Sequence, residues 1–257
     1  MDGPDPELLR DDMLDGLDHA LGAPPSDAVR EAMGAVPREE FVAEAPYANR
    51  AGEQGGTVVL APVTVARLLD ALAADPDDDV LVVGAGVGYT AAVLAELVGA
   101  DRVHAVDIAR GMVYEARANL SAAGYGAVLV DRADGARGLP AYAPFDRVLV
   151  EAAAVEPPRA LLDQLSPDGR LVMPQGCGPR QTLVAVEPAD GGGYDVVDDR
   201  GEIALQPLLV EGEQAEAPVR NRTAREDAEF AQQGYFAKTG WEHEWIDWDE
   251  RLRGTDR

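Results

Sequence analysis

"VLVVGAGVGYTAAVLAEL", residues 80–97, passes from a short unbroken apolar run into a helical pattern through Gly84, Gly86 and Gly88. An apolar run of that length reads as a strand buried on both faces, and the segment after Gly88 reads as a helix. Glycines at such a junction let the backbone come close to a ligand, and a helix start presents main-chain N–H donors. The spacing is G-x-G-x-G, with Tyr89 where the dinucleotide fingerprint wants its third glycine. That substitution counts against NAD or FAD.

Outward from this junction the alternation repeats. "RVHAVD" (102–107), "AVLVDRADG" (127–135), "FDRVLVEAA" (145–153) and "RLVMPQG" (170–176) read as strands. "GMVYEARANLSAAG" (111–124) and "PRALLDQLS" (158–166) read as the helices between them. Strands alternating with helices predict an α/β fold, a Rossmann-like parallel sheet with helices on both faces. "QTLVAVEP" (181–188) and "EIALQPLLVE" (202–211) add two further strand candidates, with "GGGYDVVDDRG" (191–201) as their connection. Upstream, "PELLRDDMLDGLDHAL" (6–21) and "SDAVREAMGAV" (26–36) form an N-terminal helical lid. "VPREEFVAEAPYANRAG" (36–52) has no periodicity, and "PVTVARLLDALAA" from Pro62 is a helix with proline in its first turn. Near the C-terminus, Trp241, Trp245 and Trp248 fall on one helical face. The expected organisation is residues 1–56 as N-terminal helices and substrate-side loop, 57–212 as the cofactor-binding core, and 213–257 as an acidic, aromatic, helical C-terminal extension.

Composition narrows the function classes. The 257 residues are 46% apolar, enough for a sizeable core, and hold no run of apolar residues long enough to span a bilayer. The acidic start of the chain does not resemble a basic leader, so a cytoplasmic location and no membrane partner are expected. Cys177 is the only cysteine, which excludes an intrachain disulfide framework and a Cys-rich metal cluster; no metal site is expected. Formal charge is −25, from 47 acidic against 22 basic residues, with Lys238 the only lysine. The surplus is scattered rather than blocked into a tail. It reads as a halophilic surface, repels nucleic acid as a partner, and describes habitat rather than substrate.

Three strand ends carry the candidate ligand site. Val83, Gly84, Ala85, Gly86 and Gly88 form the first loop. Asp107, followed by Ile108, ends the second strand, where a carboxylate can accept from a ribose diol. Asp134 and Gly135 follow the third strand, placed to hold an exocyclic amine and admit an adenine ring. A nucleoside held without a pyrophosphate suggests S-adenosylmethionine (SAM). His19, His104 and His243 read as structural or surface residues.

On these residues the chain resembles the protein-L-isoaspartate O-methyltransferases. The resemblance rests on "VPREEFV" (36–42), "PYANR" (46–50), the glycine loop, "ARANL" (116–120), "ADGARG" (133–138), "APFDRVLVEAA" (143–153) and "LLDQLSPDGRLVMPQG" (161–176). It implies a seven-strand methyltransferase sheet, SAM as cofactor, and methylation of the free carboxylate of isoaspartyl residues in damaged proteins or peptides. It also implies that Gly84, Ala85, Gly86 and Gly88 line the methionine part, that Asp107 holds the ribose, and that Asp134 with Gly135 holds the adenine. Two positions in the glycine loop depart from the family: Val82 stands where an acid is frequent and Val87 where serine is frequent. The family's acceptor loop reads Gly-Gln-Thr-Ile-Ser-x-Pro. Anchored on Pro62, its serine position is Leu60, and Thr57 supplies a hydroxyl only through a one-residue shift or a bulge. Two alternatives stay open on the residues alone: a methyltransferase of the same fold with another acceptor, a small molecule or RNA, and a non-catalytic SAM-binding recognition module.

Overall fold

The computed structural model describes residues 5–22, 24–178, 180–189 and 192–210. The expected C-terminal extension, with its three tryptophans and His243, lies outside them. Helix α1 (Pro6–Leu21) starts at Asp5, whose side chain accepts from the Glu7 N–H, and stops at Gly22 in the left-handed region. Ser26 caps α2 (Asp27–Ala35) in the same way. Strands β1 (Gly52–Gln54) and β2 (Thr57–Val59) form an antiparallel hairpin inside a segment whose sequence shows no strand period. The expected boundary at 56/57 runs through this hairpin. Its Gly55-Gly56 turn has φ of 61° and 82°, the backbone that a two-residue hairpin requires. Helix α3 (Pro62–Leu72) follows, with proline in its first turn.

The main sheet is built from β3 (Val80–Val83), β4 (Val103–Asp107), β5 (Leu129–Arg132), β6 (Phe145–Val150), β7 (Leu165–Cys177), β8 (Arg180–Pro188) and β9 (Tyr194–Ile203), in the order β5-β4-β3-β6-β7-β8-β9. Strands β3 to β7 pair in parallel; β8 and β9 are antiparallel additions. Helices α4 (Tyr89–Val98), α5 (Arg110–Ala122) and the single turn α6 (Arg159–Leu162) make the crossovers. This is the expected seven-strand sheet. The chain runs outward from β3 through β4 to β5, then returns to the other side of β3 as β6. A crevice therefore opens at the carboxyl ends of β3 and β6, where ligands bind in open α/β sheets.

The strands alternate between two cores. Val80, Val82, Val103, Ala105 and Leu149 join the cluster that also contains α1 to α5. Leu81, Val83, Val106, Val148 and Val150 join a second cluster with Phe145, Leu161 and Met173. Each such side chain removed from water contributes about 1.5–3 kcal/mol, so the register of the central strands is strongly fixed.

The far edge corrects the sequence reading. The expected connection "YDVVDDRG" is most of β9, whereas "EIALQPLLVE" contributes only Glu202 and Ile203 to a strand. Val196, Val197 and the aspartates lie on an exposed edge strand, where charge is tolerated and blunts pairing with other chains. Residues 204–210 instead run back across the strand ends, with Leu208 N–H donating to Ala153 O and Ala153 N–H to Gln206 O.

Candidate active site

A cavity of about 360 Å³ occupies the crevice. Its floor is Val83, Gly84 and Gly86 after β3, Val106, Asp107 and Ile108 at the end of β4, Gly135 after β5, and Glu151 with Ala152 after β6. Its roof is Glu53, Gly56, Thr57, Val58 and Leu60 from the hairpin and the residue after it. Residues 206–209 close one side. The size suits a drug-sized ligand, mostly apolar walls with few polar groups. No residue of α1 or α2 lines it; those helices pack against α3 and α4, and the hairpin covers the cavity.

The glycine loop spends its main-chain donors internally. Gly84 and Ala85 N–H groups both donate to Val106 O at 2.9 Å, and Gly88 N–H donates to Ala85 O. Gly86 N–H donates to Asp107 Oδ2 at 3.0 Å, while Asp107 Oδ1 accepts from Ala109 N–H at 2.8 Å. A loop so satisfied has few donors left for a pyrophosphate, in agreement with Tyr89 in place of the third glycine. Burial pushes the Asp107 carboxyl above its usual range, opposed by the N–H groups of Ala109, Gly86 and Ile108. Two carboxylate oxygens offer about four lone-pair sites, so Asp107 keeps acceptor capacity beyond these backbone N–H groups, as a ribose diol needs.

The strand ends separate the expected site residues. Val83, Gly84, Gly86, Asp107, Ile108 and Gly135 line the cavity; Ala85, Gly88 and Asp134 do not. A Cβ on Gly88 would lie 3.2 Å from Leu120 Cγ and 3.3 Å from Ala116 O, so this glycine serves the close packing of α4 on α5. Asp134 is a buried cap, accepting from Ala136 N–H at 3.0 Å with Arg137 Nε 3.9 Å away, and its neighbour Gly135 reaches the wall. Gly86 has φ 50° and open space where a Cβ would point. These features fit SAM: a carboxylate at a strand end for the ribose, aliphatic Val106, Ile108 and Leu208 beside Gly135 for a base, and a glycine wall for the methionine part.

The hairpin is held over the site by contacts the sequence hid. Gln54 Nε2 donates to Glu115 Oε1 at 2.7 Å and to Phe41 O at 3.0 Å. A side chain at Gly55 would lie 2.4 Å from Met112 Cε, so the turn needs glycine to sit on α5. Thr57 and Leu60 both line the cavity, and Leu60 brings no hydroxyl.

Two residues that sequence reasoning missed adjoin that loop. Arg38 is almost fully buried; its Nε donates to Pro46 O at 2.7 Å, its Nη2 to Leu60 O at 2.6 Å, and its guanidinium lies 4.2 Å above the Tyr89 ring. Glu151 lines both the main cavity and an adjoining space of about 20 Å³, which Arg38, Leu60, Tyr89 and Thr90 also border. Arg38 Nη1, Tyr89 Oη and Glu151 Oε1 are buried without a hydrogen-bond partner. Burial raises the Glu151 carboxyl to about 7, opposed by Thr90 and Arg38 and reinforced by the charge of Asp107. The available signal was a glutamate directly after the buried apolar run Val148–Val150. His104 lies away from the site, on β4 against Tyr142 and Phe145, and His19 is exposed in the last turn of α1. Among the described residues, no group of three or more His, Cys, Asp or Glu is arranged to hold a metal.

The comparisons agree with this geometry. The family model for protein-L-isoaspartate(D-aspartate) O-methyltransferase matches residues 10–210. The chain is similar to protein-L-isoaspartate O-methyltransferase 2 of Nitrosococcus oceani, 42% identical over 65% of this chain and 78% of that protein. It is also similar to the protein-L-isoaspartate O-methyltransferase of Aeropyrum pernix, 43% identical over 72% of this chain and 74% of that one. Among solved structures, a protein-L-isoaspartate O-methyltransferase superposes with a TM-score of 0.65 at 25% identity, covering 77% of this chain and 65% of the other. A Plasmodium falciparum structure bearing that name, in complex with S-adenosyl-L-homocysteine, superposes with a TM-score of 0.67 at 21% identity, covering 78% and 98%.

Proposed function

Because this chain belongs to the protein-L-isoaspartate(D-aspartate) O-methyltransferase family, we propose that its crevice seats SAM along the ends of β3, β4 and β5 and the acceptor under the β1–β2 hairpin. The protein is a SAM-dependent methyltransferase, acting on the free carboxylate of L-isoaspartyl residues. The observation that carries the placement is the cavity itself, which puts Gly84, Gly86, Asp107 and Gly135 opposite Thr57 and Leu60.

When bound, SAM supplies an electrophilic methyl group whose C–S bonding pair returns to sulfur as the acceptor oxygen takes the carbon. The chain then has little proton chemistry to do, since an acceptor carboxylate is already ionised near neutrality. Asp107 orients the ribose, Gly84 and Gly86 let the methionine part lie against the backbone, and the hairpin holds the acceptor and excludes water. Alignment, rather than acid–base chemistry, supplies the rate.

The test is methyl transfer from labelled SAM in concentrated KCl. Label should enter an isoaspartyl peptide and not its normal aspartyl twin. Binding of SAM with no transfer to either peptide would refute the acceptor assignment. The scattered acidic surface supports a halophilic habitat, and the family supports a role in damaged-protein repair. A cytoplasmic location is part of the proposal, and no described helix is long and apolar enough to cross a membrane. Self-repulsion at −25 predicts that the melting temperature rises steeply as KCl is added from low to molar concentration.

A further inference from the structure

Among the described residues, those that line the main cavity include three acids, Glu53, Asp107 and Glu151, and no Lys, Arg or His. An anionic acceptor must therefore enter a wall of its own sign. Glu53 is exposed, where water solvates its charge. The Asp107 carboxyl is pushed up by burial, but the backbone N–H donated to each of its oxygens opposes that and favours its ionised form. Glu151 differs from both. Its Oε1 is buried and has no hydrogen-bond partner. Its main chain is fixed by donation to Val83 O at 2.9 Å, and its Cβ lies 3.4 Å from where a Gly84 Cβ would stand. It shares the cavity wall with Leu60, which can offer an acceptor no hydroxyl.

We infer that Glu151 acts as a neutral carboxylic acid that donates a hydrogen bond to the acceptor carboxylate, making the site selective for an anionic acceptor that lacks a cationic partner in the cavity. The inference rests on the isoaspartyl reading above. Two carboxyl groups within hydrogen-bond reach cannot both ionise readily and share one proton, so the acceptor itself reinforces the neutral form. The groups facing Glu151 work in both directions. Arg38, from the turn before the hairpin, and Thr90 on α4 favour ionisation, while Asp107 on β4 and burial oppose it, and burial outweighs the rest. Tyr89 on α4 borders the same space without a charge, its hydroxyl held protonated by burial. Arg38 does not line the main cavity: its Nε and Nη2 are taken by Pro46 O and Leu60 O, and its unpartnered Nη1 belongs to a guanidinium that borders only the adjoining space, with Glu151. Glu151 keeps its proton through the reaction, so it is a positioning and specificity-determining residue.

The experiment combines a direct titration with a rate profile. In protein carrying 13C-carboxyl glutamate, with S-adenosylhomocysteine bound and the E151Q variant to assign the signal, the Glu151 resonance should keep the chemical shift of the acid to a pH well above the ordinary carboxylate range and titrate at about 7. For wild type, kcat/KM on an isoaspartyl peptide should fall as pH rises from 6 to about 9, because ionisation removes the donor and adds a repelling charge. E151Q, a permanently neutral donor, should lose that fall. E151A should raise KM about tenfold, the loss of one hydrogen bond to a charged group, with kcat less affected. The cofactor's α-ammonium titrates in the same window in every variant, so the difference between profiles is what is read. The inference is overturned if the Glu151 signal titrates in the ordinary carboxylate range, or if E151Q keeps the alkaline fall of an active wild type. It is also overturned if E151Q weakens S-adenosylhomocysteine binding tenfold or more, which would make Glu151 an ionised partner of the cofactor. A wild type silent on isoaspartyl peptide at every pH refutes the functional reading itself, and the role of Glu151 with it; retention of the fall in E151Q refutes only the role.

Discussion

The floor and the roof of the cavity are built on different principles. The floor consists of consecutive strand ends of a parallel sheet, with loop N–H groups tied to Val106 O and Asp107. The roof is a hairpin of two three-residue strands, with Glu53 and Val58 exposed, held on α5 by Gln54 and Gly55. A ligand bound by the floor is read by backbone geometry that few substitutions can change. One bound by the roof is read by side chains on a loop, where exchange is tolerated and function is tuned. The departures from the family pattern touch both: Leu60 is in the roof, and Val82 and Val87 flank the glycines of the floor, while those glycines and Asp107 are intact.

The largest effect should come from breaking the floor. Gly86→Arg places a long side chain in the open space beside Gly86 and forces an L-residue to φ 50°. Calorimetry should show the dissociation constant of S-adenosylhomocysteine rising by more than about 100-fold, or 2.7 kcal/mol. Retained binding would mean that the cofactor lies elsewhere. Asp107→Ala removes the strand-end carboxylate and frees Gly86 N–H. Hydrogen bonds to a charged group contribute about 1.5–3 kcal/mol each, so affinity should fall about 10- to 100-fold. A loss no greater than that of Glu53→Ala would place the ribose away from β4.

Glu151 sits where floor meets roof, and its burial carries a pH signature in stability. The folded chain holds its proton up to about 7, against 4.5 for an ordinary glutamate carboxyl. The stability it contributes is fully present below about pH 4.5 and is lost as pH rises through 7. Urea unfolding in high salt should show wild type losing on the order of 2 kcal/mol relative to E151Q between pH 4.5 and 8. Parallel curves for the two proteins would show that Glu151 titrates normally. The smallest change is expected from Leu60→Ser, which adds one hydroxyl to the roof: kcat/KM for isoaspartyl peptide should rise about threefold to tenfold, with cofactor affinity unmoved. No gain would show that position 60 does not meet the acceptor.

The floor was legible because its chemistry is local in the chain. A strand, a glycine loop and a helix follow one another from Val80 to Leu97, and Asp107 and Gly135 stand at the next two strand ends, so hydropathy period alone placed them in register. Within those motifs the sequence did not separate Gly86, which faces the ligand space, from Gly88, which faces α5; both are glycines for steric reasons, against different neighbours. The edge strand β9 was hidden by its aspartates, because a strand open to solvent needs no apolar alternation. Pro207, Leu208 and Leu209 read as part of a strand because they are apolar, yet they are apolar to wall a cavity.

The sequence by itself determined the alternating strands and helices of the parallel core and the candidate ligand-binding strand ends, since burial period and glycine placement act over neighbouring residues. Only the tertiary structure decided that Arg38, Leu60, Tyr89 and Glu151 meet. They come from segments 22 to 113 residues apart, counted from Arg38 to Leu60 and to Glu151, and they are joined by burial that leaves three polar atoms unpartnered. A charge's meaning depends on how far it stands from water and from other charges, and no linear pattern records that distance.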